Sequence, residues 1–290
     1  MLSLKSLIDN KINELFNEQA SLIYRLISPA IGIQLLDQNL PGMVSRETVQ
    51  NFVKSKLGGM PDVADDFKWP AVDDLPLTFL GQINLSETSV FSSELPRTGV
   101  LYFFVANRKS EAYESLISTF AIIYAESDEL KNKRHKKDSE DNGSYFIKFQ
   151  QHYTLPSYQE KIIQDSNFYT KVQDKLEELK DYISELTSGD GDYCNRHHML
   201  GEPNAIQGAV RMFWGAAIAR PKDIYNEELH AYMELAEQIG DEFILLLQVD
   251  LCDKRIDLPN YGDNTLYFGI RKEDLLARNF GNVKLVIQNT

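Results

Sequence analysis

Leu-Thr-Phe-Leu-Gly-Gln-Ile-Asn-Leu (residues 77–85) and Phe-Ile-Leu-Leu-Leu-Gln-Val-Asp-Leu (residues 243–251) read as one strand written twice. Each run is apolar, each carries a Gln two positions before an Asn or Asp, and each closes on Leu. Downstream, Gly-Val-Leu-Tyr-Phe-Phe (99–104) matches Asn-Thr-Leu-Tyr-Phe-Gly (264–269), and Phe-Ala-Ile-Ile-Tyr (120–124) matches Lys-Leu-Val-Ile-Gln (284–288). The separations from Gln82 to Gln248, Tyr102 to Tyr267 and Phe120 to Lys284 agree to within two residues. Upstream, Leu-Gly-Gly-Met-Pro (57–61) echoes Leu-Gly-Glu-Pro (200–203). Several elements recurring in one register are the signature of an internal repeat, and short apolar runs between turn residues are strands. The fold class that follows is α+β: a duplicated β-rich unit with flanking helices, the units covering about residues 30–150 and 195–290. Two such units pack most simply about a pseudo-twofold axis, either as one sheet or as two apposed sheets.

Working outward, Leu4, Ile8, Ile12, Leu15, Phe16, Ile23, Leu26 and Ile27 recur at helical spacing and predict a helix over residues 2–28. Pro29 ends it, because the residue before a proline is pushed out of the α region. Residues 30–36 then read as a first strand. A connecting helix is expected over about 158–187, strongest over 171–186, where Val172, Leu176, Leu179, Ile183 and Leu186 form an apolar stripe. Only 21 residues separate Pro61 from Gln82, whereas 45 separate Pro203 from Gln248. The surplus reads as an insertion carrying much of a helix over 222–239, stopped by Gly240. The chain is expected to form a single domain over residues 1–290.

The bulk composition constrains function. With 290 residues, 43% of them hydrophobic and 25% charged, the chain matches an ordinary globular protein and is long enough to bury about 75% of its unfolded surface. Forty-three acidic residues against 30 basic ones give a formal charge of −13. Binding to nucleic acid rests on neutralising phosphates, so neither nucleic acid nor an anionic membrane is an expected partner, while a basic protein or a small molecule is compatible. Two cysteines, Cys194 and Cys252, do not make a disulfide framework. Lys5, Asp9 and Lys11 interrupt any apolar leader, and no run approaches the roughly 20 apolar residues of a membrane span. A cytoplasmic location is expected. The basic run within residues 131–144 lacks interleaved aromatics and passes straight into Asp138, Glu140 and Asp141, as a solvated loop does.

At this point the residues resemble a known family. Lys-Leu-Gly-Gly-Met-Pro (56–61), Trp69-Pro70, residues 76–85 and 99–104, His-Met-Leu-Gly-Glu-Pro (198–203) with Gln207, Leu-Leu-Leu-Gln-Val-Asp (245–250), Gly262-Asp263, Leu-Tyr-Phe (266–268), Asp274-Leu275 and Asn279-Phe280 follow the order of motifs in the YwqG-like family. That group is mostly bacterial and of uncharacterised function. The chain departs from the pattern at Tyr261, where the family usually has Trp, and in a longer stretch around 209–239. The resemblance implies an α+β fold with a duplicated β unit; it implies no activity and no catalytic residues.

Side chains alternate across a strand. On that rule Leu77, Phe79, Ile83 and Leu85 share one face with Gln82 and Asn84 opposite, and Phe243, Leu245, Leu247, Val249 and Leu251 share one with Gln248 and Asp250 opposite. A pseudo-twofold that brings Gln82, Asn84, Gln248 and Asp250 together makes a polar cleft between the halves, to which His198 and Gln207 are added as candidate ligand-binding residues. The competing and favoured reading is that each amide satisfies nearby loop backbone. Cys194, His197 and His198, with Asp190, Asp192 and Glu202 close by, invite a zinc reading, but no second Cys/His pair completes four ligands; no metal and no cofactor are expected. Neither a nucleophile elbow nor a phosphate loop is written in the chain. The leading expectation is therefore a non-enzymatic intracellular binding or protein-interaction protein, with toxin neutralisation as one form of it. The rival is a small-molecule binder or enzyme using the cleft between the halves.

Overall fold

The computed structural model describes residues 3–36, 53–63, 66–106, 119–126, 143–160, 169–188, 197–219, 229–256, 258 and 261–289. Twelve strands occur among them: β1 (Ser28–Leu36), β2 (Lys56–Leu57), β3 (Ala71–Val72), β4 (Leu75–Pro76), β5 (Thr78–Asn84), β6 (Val100–Val105), β7 (Phe120–Ala125), β8 (Tyr145–Thr154), β9 (His198–Met199), β10 (Phe243–Asp250), β11 (Asn264–Arg271) and β12 (Lys284–Asn289). The helices are α1 (Leu4–Phe16), α2 (Ala20–Leu26), α3 (Leu85–Thr88), α4 (Tyr169–Ser188), α5 (Val210–Ala219), α6 (Leu229–Gly240) and α7 (Lys272–Leu276). The fold is thus α+β. Of the two arrangements left open by the sequence, a single large sheet is the one present.

That sheet has ten strands in the order β12-β11-β10-β9-β1-β8-β2-β5-β6-β7, with β3 and β4 forming a separate hairpin. Every neighbouring pair is antiparallel. The centre is the long β1·β8 ladder, running from Ser28↔Thr154 to Leu36↔Phe146. The sheet curls on itself until its two ends nearly meet. Phe103 of β6 and Phe120 of β7 pack edge-on against Phe268 of β11, with ring centroids 5.1 and 6.0 Å apart. Tyr124 lies 5.2 Å from Phe280, Arg278 bonds Glu126 at 2.8 Å, and Tyr261 donates to the Ala106 carbonyl at 3.1 Å. Inside the curl, Ile31, Ile33, Leu57, Ile83, Leu101, Leu247, Val249 and Leu266 form one continuous core. Each such buried side chain contributes on the order of 1.5–3 kcal/mol.

Strict alternation fails in β5 and β10. A β-bulge lies between Phe79 and Gly81 in the first strand and between Leu245 and Leu247 in the second. A bulge adds one residue and so exchanges faces beyond it. Leu77 and Phe79 consequently point outward, into a cluster with Trp69 and Phe104, while Ile83 and Leu85 point inward. Phe243 and Leu245 likewise face outward against Trp214, while Leu247, Val249 and Leu251 face inward. The single apolar faces expected from sequence are each split in two.

Helices cover the outer surface in separate patches. α1, α2 and α4 bury Ile8, Ile12, Ile23, Leu176 and Leu179 among themselves. The expected N-terminal helix over 2–28 is broken by a 3-10 turn at Asn17–Gln19, where Asn17 takes a positive φ of 47°. Ser3 accepts from the Ser6 N–H and caps the start of α1. The described part of the connecting helix is Tyr169–Ser188. The stretch that the sequence reads as an insertion holds two helices among the described residues where one was expected, α5 and α6, packed against each other. Trp214 of α5 reaches the sheet over Gly269, where a β-carbon would fall 2.3 Å from the indole.

Candidate functional site

The central ladder is covered on only part of its outer face, and a cleft of about 470 Å³ opens there. Its floor is Gly32 and Gln34 of β1 with Gln150, His152 and Thr154 of β8; its walls are α4, the segment around Ser157, and His197 to Ala205, with Arg255 at one side. Clefts of some 300–1,000 Å³ are the usual size of small-molecule sites.

Sequence explains how each wall is built. In β8 the even-numbered residues share one face. Phe149 and Ile147 turn into the core, so Gln150, His152 and Thr154 face out. On α4, Gln173, Glu177, Lys180, Ser184 and Thr187 recur every three or four residues and so form one polar stripe, beside the apolar stripe that docks on α1. That polar stripe faces the cleft. Gln150 fastens the two walls together by donating to the Thr187 carbonyl at 2.6 Å.

His152 is the group left over. Its Nδ1 is sealed from solvent and has no hydrogen-bond partner among the described residues. Burial, with the neighbouring His198 imidazole adding to it, lowers its pKa to about 3, so the ring is neutral throughout the physiological range. The rings of His152 and His198 are 6.1 Å apart. His198 itself bonds the Glu202 carbonyl through Nε2 at 3.1 Å, across the Leu200-Gly201 turn.

His197 is occupied on both nitrogens. Its Nδ1 accepts from the Asp250 N–H at 3.0 Å, and its Nε2 lies 3.2 Å from Asp253. Arg255 closes on the same carboxylate and reaches the Leu35 carbonyl. Burial acts to raise the Asp253 pKa, but the hydrogen bonds from His197 and Arg255 together hold it well below the usual carboxylate range. The arrangement ties β1, β9 and the end of β10 together. A further carboxyl, Glu160, is buried behind the cleft at the start of α5, where it accepts the Val210 N–H at 3.0 Å. Burial pushes its pKa up to about 7, against the nearby Arg211, which favours the charged form.

The residues singled out from sequence are distributed differently from that expectation. Gln82 is fully buried, accepts the Asp62 N–H and donates to the Lys54 carbonyl and the Asp62 carboxylate. Gln248 is buried and accepts the Asn204 N–H. Asn84 and Asp250 each accept the backbone N–H two residues on, from Ser86 and Cys252. Strands β5 and β10 are five ladder steps apart, about 24 Å along the sheet at ~4.8 Å per strand. The two Gln-x-Asn/Asp pairs therefore do not converge into one cluster, because four strands stand between them. Gln207 binds the edge of β12, accepting the Asn289 N–H. Of the six candidates, only His198 lines the cleft. Cys194, Asp190 and Asp192 lie outside the described residues. Among the described residues no three His, Cys, Asp or Glu side chains gather as a metal site, and no helix is long and apolar enough to cross a membrane.

A family model described as "Domain of unknown function (DUF1963)" matches residues 55–288. The chain belongs to the DUF1963 family. No curated protein matches it. The matched span of this DUF1963 chain begins at Ser55, just before β2, and takes in every strand from β2 to β11 and all but the last residue of β12. It leaves out β1, although β1 supplies Gly32 and Gln34 to the cleft floor.

Proposed function

We propose that this DUF1963 protein, of the YwqG-like kind and cytoplasmic, binds a small molecule in the cleft over β1 and β8 without transforming it. The observation that carries the reading is a polar cleft at the middle of the sheet, with an unpartnered buried nitrogen in its floor. Buried polar groups are nearly always satisfied, so an unpartnered one in the floor of a cleft is a group that a ligand would satisfy once the His152 ring turns toward it. Catalysis is not part of the proposal: the only His–carboxylate pair among the described residues that border the cleft, His197–Asp253, is saturated by its own neighbours.

The proposal includes duplication of the sheet about a pseudo-twofold passing close to the Gln34·Lys148 pair. In support, the strand order mirrors itself outward from the β1·β8 ladder. Lys56 lies opposite Gln82, and His198 opposite Gln248. Both long strands carry the extra residue of the bulge two positions before the Gln. Tyr102 and Tyr267 donate to the carbonyls of Asp62 and Asn204, each at 2.7 Å. Gly58-Gly59 and Leu200-Gly201 both place two consecutive residues at positive φ. On this view the cleft sits at the junction of the halves, as the rival sequence reading had it, but on different residues.

The test is ligand-observed NMR of the full chain with a chemically diverse fragment set, repeated on Ser184→Phe, which fills the cleft from α4. Fragments that bind the parent and not the variant, both being folded by circular dichroism, support the reading. Absence of any such fragment overturns it.

A second reading, engagement of a protein partner, is favoured by the apolar exposure on the α5–α6 hairpin, where Phe213, Leu229, Met233 and Leu235 are each 40–46% exposed. Its test is quantitative co-purification from native cytosol with the parent and with Leu229→Lys/Leu235→Lys. A stoichiometric partner lost in the variant supports it, and equal recovery sinks it.

A further inference from the structure

Pairing off the charges of the cleft leaves one carboxylate over. Glu177 is held by Lys180 at 2.9 Å, Glu202 by Arg211 at 2.9 Å, and Arg255 by Asp253 at 2.6 Å. Asp181 of α4 also lines the cleft and is half-buried, yet it has no hydrogen bond or ion pair among the described residues. Lys180 directly precedes it, but adjacent helix positions do not face each other, and Lys180 turns back to Glu177. Lys148, opposite Gln34 in the ladder, is exposed and outside the lining, where water and salt screen it. The lining thus carries one negative charge that the protein leaves unpaired, while both of its cations, Lys180 and Arg255, are engaged. An anion entering the cleft meets that charge with no uncommitted lining cation to offset it.

The hydrogen-bonding groups point the same way. Gln150 gives its amide nitrogen to the Thr187 carbonyl, which fixes the orientation of the amide and leaves its oxygen as an acceptor. The His152 ring is neutral, so one of its nitrogens is an acceptor, and Nδ1 has no partner. A carboxylate, an amide oxygen and an imidazole therefore line one cleft. A primary ammonium carries three N–H donors and no acceptor, the complement of that set. A metal dication fits less well. It asks for several oxygen ligands at once, and no three His, Cys, Asp or Glu side chains gather among the described residues. Tyr153 and Leu155, also in the lining, offer apolar surface to the remainder of an organic molecule.

Resting on the cleft reading, we propose that the ligand is a small organic cation bearing a primary ammonium, its charge paired with Asp181 and its N–H groups shared with Gln150 and His152. A neutral ligand would cover Asp181 and leave the carboxylate both desolvated and unpaired, which is costly. An ammonium supplies the missing partner.

Saturation-transfer NMR on the full chain with matched probes tests the assignment: tyramine, tyrosol and 4-hydroxyphenylacetate, and hexylamine, hexanol and hexanoate. Within each set only the polar end changes. The expected result is saturable binding of an amine, tighter than its alcohol and its acid by about fivefold or more and weakened by added salt. Asp181→Asn is expected to abolish that preference without lowering the melting temperature, since Asp181 has no partner to lose, and without changing the affinity for the alcohols. Equal or tighter binding of an alcohol or an acid overturns the assignment, as does an amine preference that survives Asp181→Asn. If the diverse fragments bind in the cleft and no amine is preferred, the chemistry assigned here is wrong and the cleft reading stands. If nothing binds, both fall.

Discussion

Gly32 of β1 stands opposite Gln150 of β8 and diagonal to His152. A β-carbon built on Gly32 would come within 3.2 Å of the His152 Cβ and 3.2 Å of the Gln150 Cγ, so both side chains lean over a position that has none of its own. Gly32→Val drives them up into the cleft. The expected result is loss of every cleft-dependent ligand signal at a stability cost of about 1–3 kcal/mol from overpacking, read by ligand-observed NMR and urea denaturation. Retained binding in a folded Gly32→Val protein would show that the floor does not shape the site.

Two buried groups near the cleft give opposite pH dependences. Glu160 has a pKa raised to about 7 from an ordinary 4.5; the folded state holds its proton more tightly than the unfolded state does. Its contribution to stability is full below about pH 4.5 and is lost as pH rises to about 7. By linkage the loss is on the order of 2–3 kcal/mol. His152, lowered to about 3 from 6.5, contributes stability that is present above pH 6.5 and lost as pH falls toward 3. The difference curve between parent and Glu160→Gln, measured by urea unfolding from pH 4 to 8, isolates the first: the variant gains on the parent as pH rises. A flat difference curve rules Glu160 out.

The α5–α6 hairpin depends on one contact. A β-carbon at Gly215 would sit 1.8 Å from the Ala236 carbonyl oxygen, a separation no rotamer change relieves. Gly215→Ala is expected to part the two helices and cost about 2–4 kcal/mol, with faster amide exchange in both. Unchanged exchange across residues 229–240 would contradict this.

Asp253 serves two partners at once, and removing it leaves His197 Nε2 without its acceptor and takes from Arg255 its carboxylate partner. Asp253→Ala is expected to cost about 2–4 kcal/mol, because orphaned buried donors cost more than the bond itself contributes. Adding Arg255→Met removes one orphan and should recover part of the loss, a coupling that a double-mutant cycle measures. Strict additivity of the two changes would show that they act independently.

How much of this was legible in the sequence depended on whether a residue's surroundings were local. The runs at 77–85, 99–104, 243–251 and 264–269 were readable as strands because they are apolar, bounded by turns, and lie within the elements observed as β5, β6, β10 and β11 or overlap them closely. The stripe of Val172, Leu176, Leu179 and Ile183 likewise identified α4. The bulges were invisible, since nothing in Phe-Leu-Gly or Leu-Leu-Leu distinguishes an extra residue from a regular one, and the face assignments failed with them. β8 escaped notice for a different reason. Lys148, Gln150, His152 and Thr154 dilute its apolar pattern because its outer face borders a cleft instead of a helix. The same half-polar alternation is the signal that would have led to the site, together with the polar stripe from Gln173 to Thr187 on α4. Gln82 and Gln248 stand out in the sequence because their surroundings recur, but each is bound to its own loop backbone, Gln82 to Asp62 and Lys54 and Gln248 to Asn204.

The β1·β8 ladder joins Ser28 to Thr154 and Leu36 to Phe146, so the middle of the sheet is made from stretches far apart along the chain. Closing so wide a loop costs entropy before any contact rewards it, and topologies dominated by distant pairings fold slowly. The kinetic consequence is an ordering: the hairpins β5–β6 and β10–β11 have the means to form early and separately, while the floor of the cleft is complete only once residues 28–36 have met residues 145–154.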